Sequence, residues 1–129
     1  MPAGEAFTQR QYEDITRALR LAEQESELRY SVYVGPLEGD TRTHAAKLHA
    51  ALDDSKNSVL VAVDPGNRRL EIVTGDLARH HLSDRDCGLA ALTMTTAFTV
   101  GDLAGGIVTG VQMLGEHARR PPSLHRDQP

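Results

Sequence analysis

The sequence predicts an α/β fold: a compact sandwich with a small mixed β-sheet (β-α-β plus hairpin) covered by helices on both faces. Three observations predict it. The run Val59-Leu60-Val61-Ala62-Val63 is continuous, apolar and β-branched, which suits a central strand buried on both faces. The alternating stretch Leu28–Val34 precedes it across a helix-patterned segment, so the two strands run parallel. Leu70, Ile72 and Thr74 alternate with Glu71 and Val73 just after the turn sequence Asp64-Pro65-Gly66-Asn67. That link is too short for a crossover and predicts an antiparallel hairpin.

Each element has its own local cause. Thr8 with Gln11 three residues on forms a capping-box pattern, and Phe7 and Tyr12 sit where a hydrophobic staple would hold the chain. Tyr12, Ile15, Leu19 and Ala22 then recur at helical spacing, leaving Glu13, Arg17, Arg20 and Glu23 to water. Leu28, Tyr30, Val32 and Val34 alternate with Arg29, Ser31 and Tyr33, the period-two pattern of the first strand. Asp40 or Thr41 can cap a second helix carrying Ala45, Leu48 and Leu52.

Beyond the hairpin, Gly75-Asp76 can open a short helical segment, and Ser83 with Asp86 offers a new cap. Cys87, Ala90, Ala91, Met94, Ala97 and Phe98 then share one helical face. Gly101 can end that helix in a left-handed conformation and Asp102 can cap the next. Leu103, Ile107, Gly110, Val111 and Leu114 mark the inner face of the last helix. Gly106 and Gly110, one turn apart, predict that this helix packs closely on a neighbour. One domain is expected over residues 1–118, with a flexible C-terminal tail over 119–129.

Composition narrows the function. The 129 residues carry 14 Lys+Arg against 18 Asp+Glu, a formal charge of −4, and aromatics make up 4% with no Trp. Scattered basic residues and few stacking rings disfavour DNA or RNA as a partner. A lone Cys87 makes no internal disulfide and no Cys-rich metal site. The start Met1-Pro2-Ala3-Gly4-Glu5 lacks the basic and apolar stretches of a signal peptide. Gly101-Asp102 interrupts the weakly charged stretch from Cys87 to Gly115, leaving pieces too short to span a bilayer. A soluble, cytoplasmic protein is expected.

Candidate chemistry rests on aspartates. Asp64 stands at the carboxyl end of the predicted central strand, where α/β sheets place ligands, and Asp40 on the neighbouring loop could share a cation with it. Asp76, His80 and Asp84 are spaced i, i+4, i+8, a divalent-metal face if the helix were unbroken, although Ser83 predicts a break. Asp40, Asp64 and Asp76, with Asp84, are therefore the candidate ligands for Ca²⁺ or Mg²⁺. Against these stand simpler roles: Asp-Pro-Gly-Asn is itself a strong turn, and Asp76 and Asp84 suit helix starts.

Cys87, inside a predicted helix and followed by no nearby Arg, reads as a buried structural thiol. Gly105-Gly106 lacks the Walker Lys and dinucleotide spacing, and no Gly-x-Ser-x-Gly elbow occurs. His44, His49, His117 and His125 show no metal spacing and count as surface residues.

A further observation concerns the runs Asn57-Ser58-Val59-Leu60-Val61-Ala62-Val63-Asp64 and Leu70-Glu71-Ile72-Val73-Thr74-Gly75. With Leu82-Ser83-Asp84, Phe98-Thr99-Val100-Gly101-Asp102-Leu103 and Gly106-Ile107-Val108-Thr109-Gly110, they resemble the TPM domain. The likeness spans residues 7–118 and is to a divergent actinobacterial branch of unknown function. It implies a small α/β sandwich and a family whose members include phosphatases, calcium binders and assembly factors of membrane complexes. Two departures matter. The family's Asp-Asn-Gly before the central strand is here Lys56-Asn57-Ser58, and its Gly-Leu-Glu after the third strand is Gly75-Asp76-Leu77. The first puts a cation where a carboxylate would sit, and the second loses a Glu. The expected function is a binding or interaction module with a protein partner and no catalytic constellation. The alternative is a weak divalent-cation-dependent phosphatase.

Overall fold

The computed structural model describes residues 7–119. Helix α1 spans Gln9–Ser26. Strand β1 (Arg29–Val34) and helix α2 (Thr41–Ala50) follow. Strands β2 (Ser58–Asp64) and β3 (Arg69–Thr74) form the hairpin. Helices α3 (Asp84–Thr99) and α4 (Leu103–Arg119) complete the order. The expected tail falls outside the described residues except for Arg119, which ends α4, and His125 lies there too.

The sheet order is β1-β2-β3, with β2 parallel to β1 and antiparallel to β3. Every residue of β2 is buried, because its two faces meet different layers. Val59, Val61 and Val63 join a core with Ile15 and Ala22 of α1, Met94 of α3 and Ile107, Val111 and Leu114 of α4. Leu60 and Ala62, with Val73 of β3, pack with Ala45 of α2 and Leu37. Helices therefore cover both faces, as the continuous apolar run requires.

The local signals explain where elements start and stop. Thr8 and Ser83 each form a complete capping box, with Gln11 and Asp86, and Phe7 meets Tyr12 edge-on at 5.7 Å between ring centres. Gly101 has φ +84°, which turns the chain out of α3, and the Asp102 carboxylate accepts the Gly105 amide at 3.0 Å to start α4. The close packing expected of α4 is met within the chain. A Cβ on Gly110 would overlap Met94, and one on Gly106 would overlap Ala97 and Phe98, so both glycines bring α4 against α3.

Tyr33, on the other face of β1 from Tyr30, packs against the α2-side core of Leu37, Ala45, Leu60, Ala62 and Val73. Several sequence expectations are corrected by tertiary contacts. Glu23, assigned to water, accepts the Tyr30 amide at 3.0 Å. On the opposite border of the sheet Arg42 donates to the Ile72 carbonyl at 2.8 Å. Side chains thus occupy backbone groups on both edge strands, where an open edge would pair with another chain. His49, expected at the surface, is buried and bonds the Ser58 carbonyl at 2.9 Å. His117 is partly buried and lies 3.3 Å from Asp86, joining the end of α4 to the start of α3. His44 is half-buried, and its Nδ1 accepts the Glu38 amide at 2.9 Å.

Candidate functional site

The parallel strands β1 and β2 end side by side, with the Gly35 amide donating to the Val63 carbonyl at 2.9 Å. Asp64 comes next, and its side chain is 3% exposed. One carboxylate oxygen accepts the Leu37 amide at 2.9 Å, from the loop after β1. The carboxylate also accepts the Asn67 amide at 3.2 Å and the Asn67 side-chain amide at 2.9 Å. These donors, led by the Leu37 amide, hold the Asp64 pKa below the ordinary carboxylate value. A buried carboxylate with several donors is stabilised ionised, and it ties the β1–α2 loop to the hairpin turn.

Beside this acid a hollow of about 300 Å³ opens between the hairpin and the α3–α4 junction. Val63, Leu70, Phe98 and Leu103 supply its apolar floor. Arg68 and Arg69 of the hairpin and Thr95 and Thr99 of α3 supply polar groups around it. Arg68 adopts φ +54°, the left-handed conformation that lets the turn close before β3 begins. Both arginines are exposed, so the hollow couples an apolar interior to a cationic rim. Such a pocket sits at the small end of the ligand-site range and suits one apolar group with an anionic companion.

The other candidate aspartates are placed apart in role. Asp40 caps α2: its carboxylate accepts the Thr43 amide at 2.9 Å and the Thr43 hydroxyl, which lower its pKa, the hydroxyl most. Asp76 is exposed ahead of a short 3-10 turn, Ala78–His80. Asp84 is the first residue of α3, after the Ser83 cap. The i, i+4, i+8 face of Asp76, His80 and Asp84 therefore does not form, because the helix restarts at Ser83. Among the described residues no group of three or more His, Cys, Asp and Glu side chains is gathered to hold an ion. Cys87 is only half-buried, and desolvation, with Asp86 and Asp84 nearby, pushes its pKa up to about 11. It is a neutral thiol at pH 7 and a poor nucleophile.

The sequence reading put Phe98 and Leu103 on core faces and left the adjacent Arg68 and Arg69 among the scattered basic residues. It did not join them. The signal that could have done so is the position of the pair, one turn beyond the carboxyl end of the central strand.

Fold and site define a class: a small α/β sandwich with a mixed three-stranded sheet and a hollow at the carboxyl end of its middle strand. Within that class, the chain belongs to the family described as a domain of unknown function, DUF5130, whose model matches residues 1–115. Two uncharacterised proteins of Mycobacterium tuberculosis, MT2543 and Rv2468c, are each 27% identical over 97 residues, 75% of this chain. The match spans 58% of their length.

Solved structures share the fold. The BA42 protein of the psychrophilic bacterium Bizionia argentinensis aligns with TM-score 0.79 and 20% identity, over 87% of this chain and 81% of that one. The N-terminal domain of the cg2496 protein of Corynebacterium glutamicum aligns with TM-score 0.75 and 18% identity, over 89% and 75% of the two chains. No helix among the described residues is long and apolar enough to cross a membrane.

Proposed function

We propose that this chain is a non-catalytic binding module on a TPM-like scaffold, working in the cytoplasm. Its hollow at the carboxyl end of β2 takes an apolar group that carries an anion, presented by a partner protein. One observation carries the reading: an apolar floor and a pair of exposed arginines meet in one hollow whose single acid is committed to backbone and side-chain amides. An acid so engaged is poorly placed to act as a general base, and the neighbouring hydroxyls of Thr95 and Thr99 already donate to helix carbonyls. The runner-up, a cation-dependent phosphatase on Asp40, Asp64, Asp76 and Asp84, would need Asp40 and Asp64 released from the amides they accept and the four carboxylates gathered in one place.

The probe 1-anilinonaphthalene-8-sulfonate has the required chemistry, an aromatic body with a sulfonate. Titrated into the ¹⁵N-labelled chain, it should move the amides of Leu70, Thr95, Phe98 and Gly101 most. Arg69→Glu, an exposed change, should weaken its binding about tenfold, which corresponds to about 1.4 kcal/mol. Shifts centred elsewhere, or unchanged affinity in Arg69→Glu, would overturn the assignment.

A further inference from the structure

Strand β3 lies at a border of the sheet, and its ladder leaves one residue open there. The Gly75 amide donates to the Ser58 carbonyl, which fixes the alternation of bonds between β2 and β3. In that register Arg69, Glu71 and Val73 turn their backbone groups toward β2, and Leu70, Ile72 and Thr74 turn theirs to the border. Thr74 is buried, and the Ile72 carbonyl is taken by Arg42 at 2.8 Å. The Leu70 amide and carbonyl have no hydrogen-bond partner among the described residues. Its side chain belongs to the floor of the hollow, so open backbone and apolar floor sit together.

What flanks Leu70 sets the direction and reach of an occupant. A strand added antiparallel to β3 has its carboxyl end beside the start of β3, where Arg68 and Arg69 stand exposed. A residue placed opposite Leu70 carries its side chain on the same face of the sheet as Leu70, over the hollow of about 300 Å³. Arg42 blocks the next border position, at Ile72. The border therefore accepts a single residue, and the arginines beyond it match a chain that ends there in a carboxylate. Given the binding role proposed above, we infer that the hollow receives the free carboxyl terminus of a partner polypeptide whose last residue is apolar. The Leu70 amide and the two arginines hold the carboxylate, the Leu70 carbonyl accepts the last N–H, and the hollow takes the last side chain. Main-chain pairing at a sheet edge and capture of a terminal carboxylate are both recurrent modes of peptide recognition.

Three peptides test this: N-acetyl-Ala-Leu as the free acid, the same dipeptide as its carboxamide, and N-acetyl-Leu-Glu carboxamide, whose only acid is a side chain. Titrated into the ¹⁵N-labelled chain, the free acid should move the Leu70 amide most and displace the anilinonaphthalene probe. It should bind at least about tenfold tighter than either carboxamide. Arg68→Gly, suited to the left-handed backbone at that position, combined with Arg69→Gln should bring the free acid and its carboxamide to equal affinity. A preference for the acid that persists in this double variant would overturn the inference. So would a side-chain acid that binds as tightly as the terminal one. If the anilinonaphthalene probe occupies the hollow while the free acid fails to bind, or binds no better than its carboxamide, the chain-end assignment falls and the wider binding role stands. If neither that probe nor any peptide binds there, both fall.

Discussion

Gly75→Ala is expected to destabilise the fold by about 3 kcal/mol or more, with a drop in melting temperature of about 10 °C. Gly75 follows β3 and is buried. A Cβ at this position would overlap the carbonyl oxygens of Ser55 and Lys56. Those are backbone atoms, and they cannot swing aside as a long side chain would. The same crossing is stitched from both directions: the Gly75 amide donates to Ser58 and the Leu77 amide to Lys56, each at 2.9 Å. Relieving the overlap would break bonds that hold the entry of β2. Gly88→Ala makes the same chemical change in open space on a helix and should stabilise by up to about 1 kcal/mol. Denaturant unfolding of the two variants checks the contrast. A Gly75→Ala midpoint equal to wild type would refute the packing described.

Asp64→Asn should cost about 3 kcal/mol at pH 7, because one amide oxygen replaces a carboxylate that serves the buried Leu37 amide and both Asn67 donors. The pH dependence follows from the direction of the shift. The folded pKa of Asp64 is lowered, so its contribution is present above the unfolded carboxylate value of about 4 and is lost as pH falls through the folded value. Measured by urea unfolding, the stability gap between wild type and Asp64→Asn should hold from neutral pH to just above that value and shrink in stronger acid. A gap that stays constant into strong acid would mean that the ionised form is not what the loop and turn require.

Much of the architecture was legible because its causes are local or periodic. Thr8 with Gln11 and Ser83 with Asp86 are capping boxes at the level of sequence and in the folded chain. The unbroken run from Val59 to Val63 identifies a strand covered twice, parallel to β1 and antiparallel to β3 as the connections require. What escaped was set by chain segments distant in sequence. Ala18 is buried because α4 lies beside α1, and an alanine gives little periodic signal. His49 is drawn inside by the Ser58 carbonyl, a partner no spacing rule reveals. The tight place at Gly75 depends on Ser55 and Lys56 crossing it, so the residue looked like an ordinary start for the short helical segment after the hairpin. The candidate hollow joins a hairpin turn to a helix junction some thirty residues later in the sequence, beyond the reach of any local pattern.

The functional account turns on the carboxylate of Asp64. Its place at the carboxyl end of the central strand invites a metal, whereas its hydrogen bonds make it a latch between the loop after β1 and the turn before β3. A latch leaves the neighbouring arginines and apolar floor to bind without chemistry. The amides of Leu37 and Asn67 sit directly on the carboxylate and report any change in its partners. Following those two amide resonances while Ca²⁺ and then Mg²⁺ are added to millimolar excess is the most direct test. The account predicts that neither resonance moves. Saturable shifts of both, abolished in Asp64→Asn, would show the acid recruited to a cation and would contradict it.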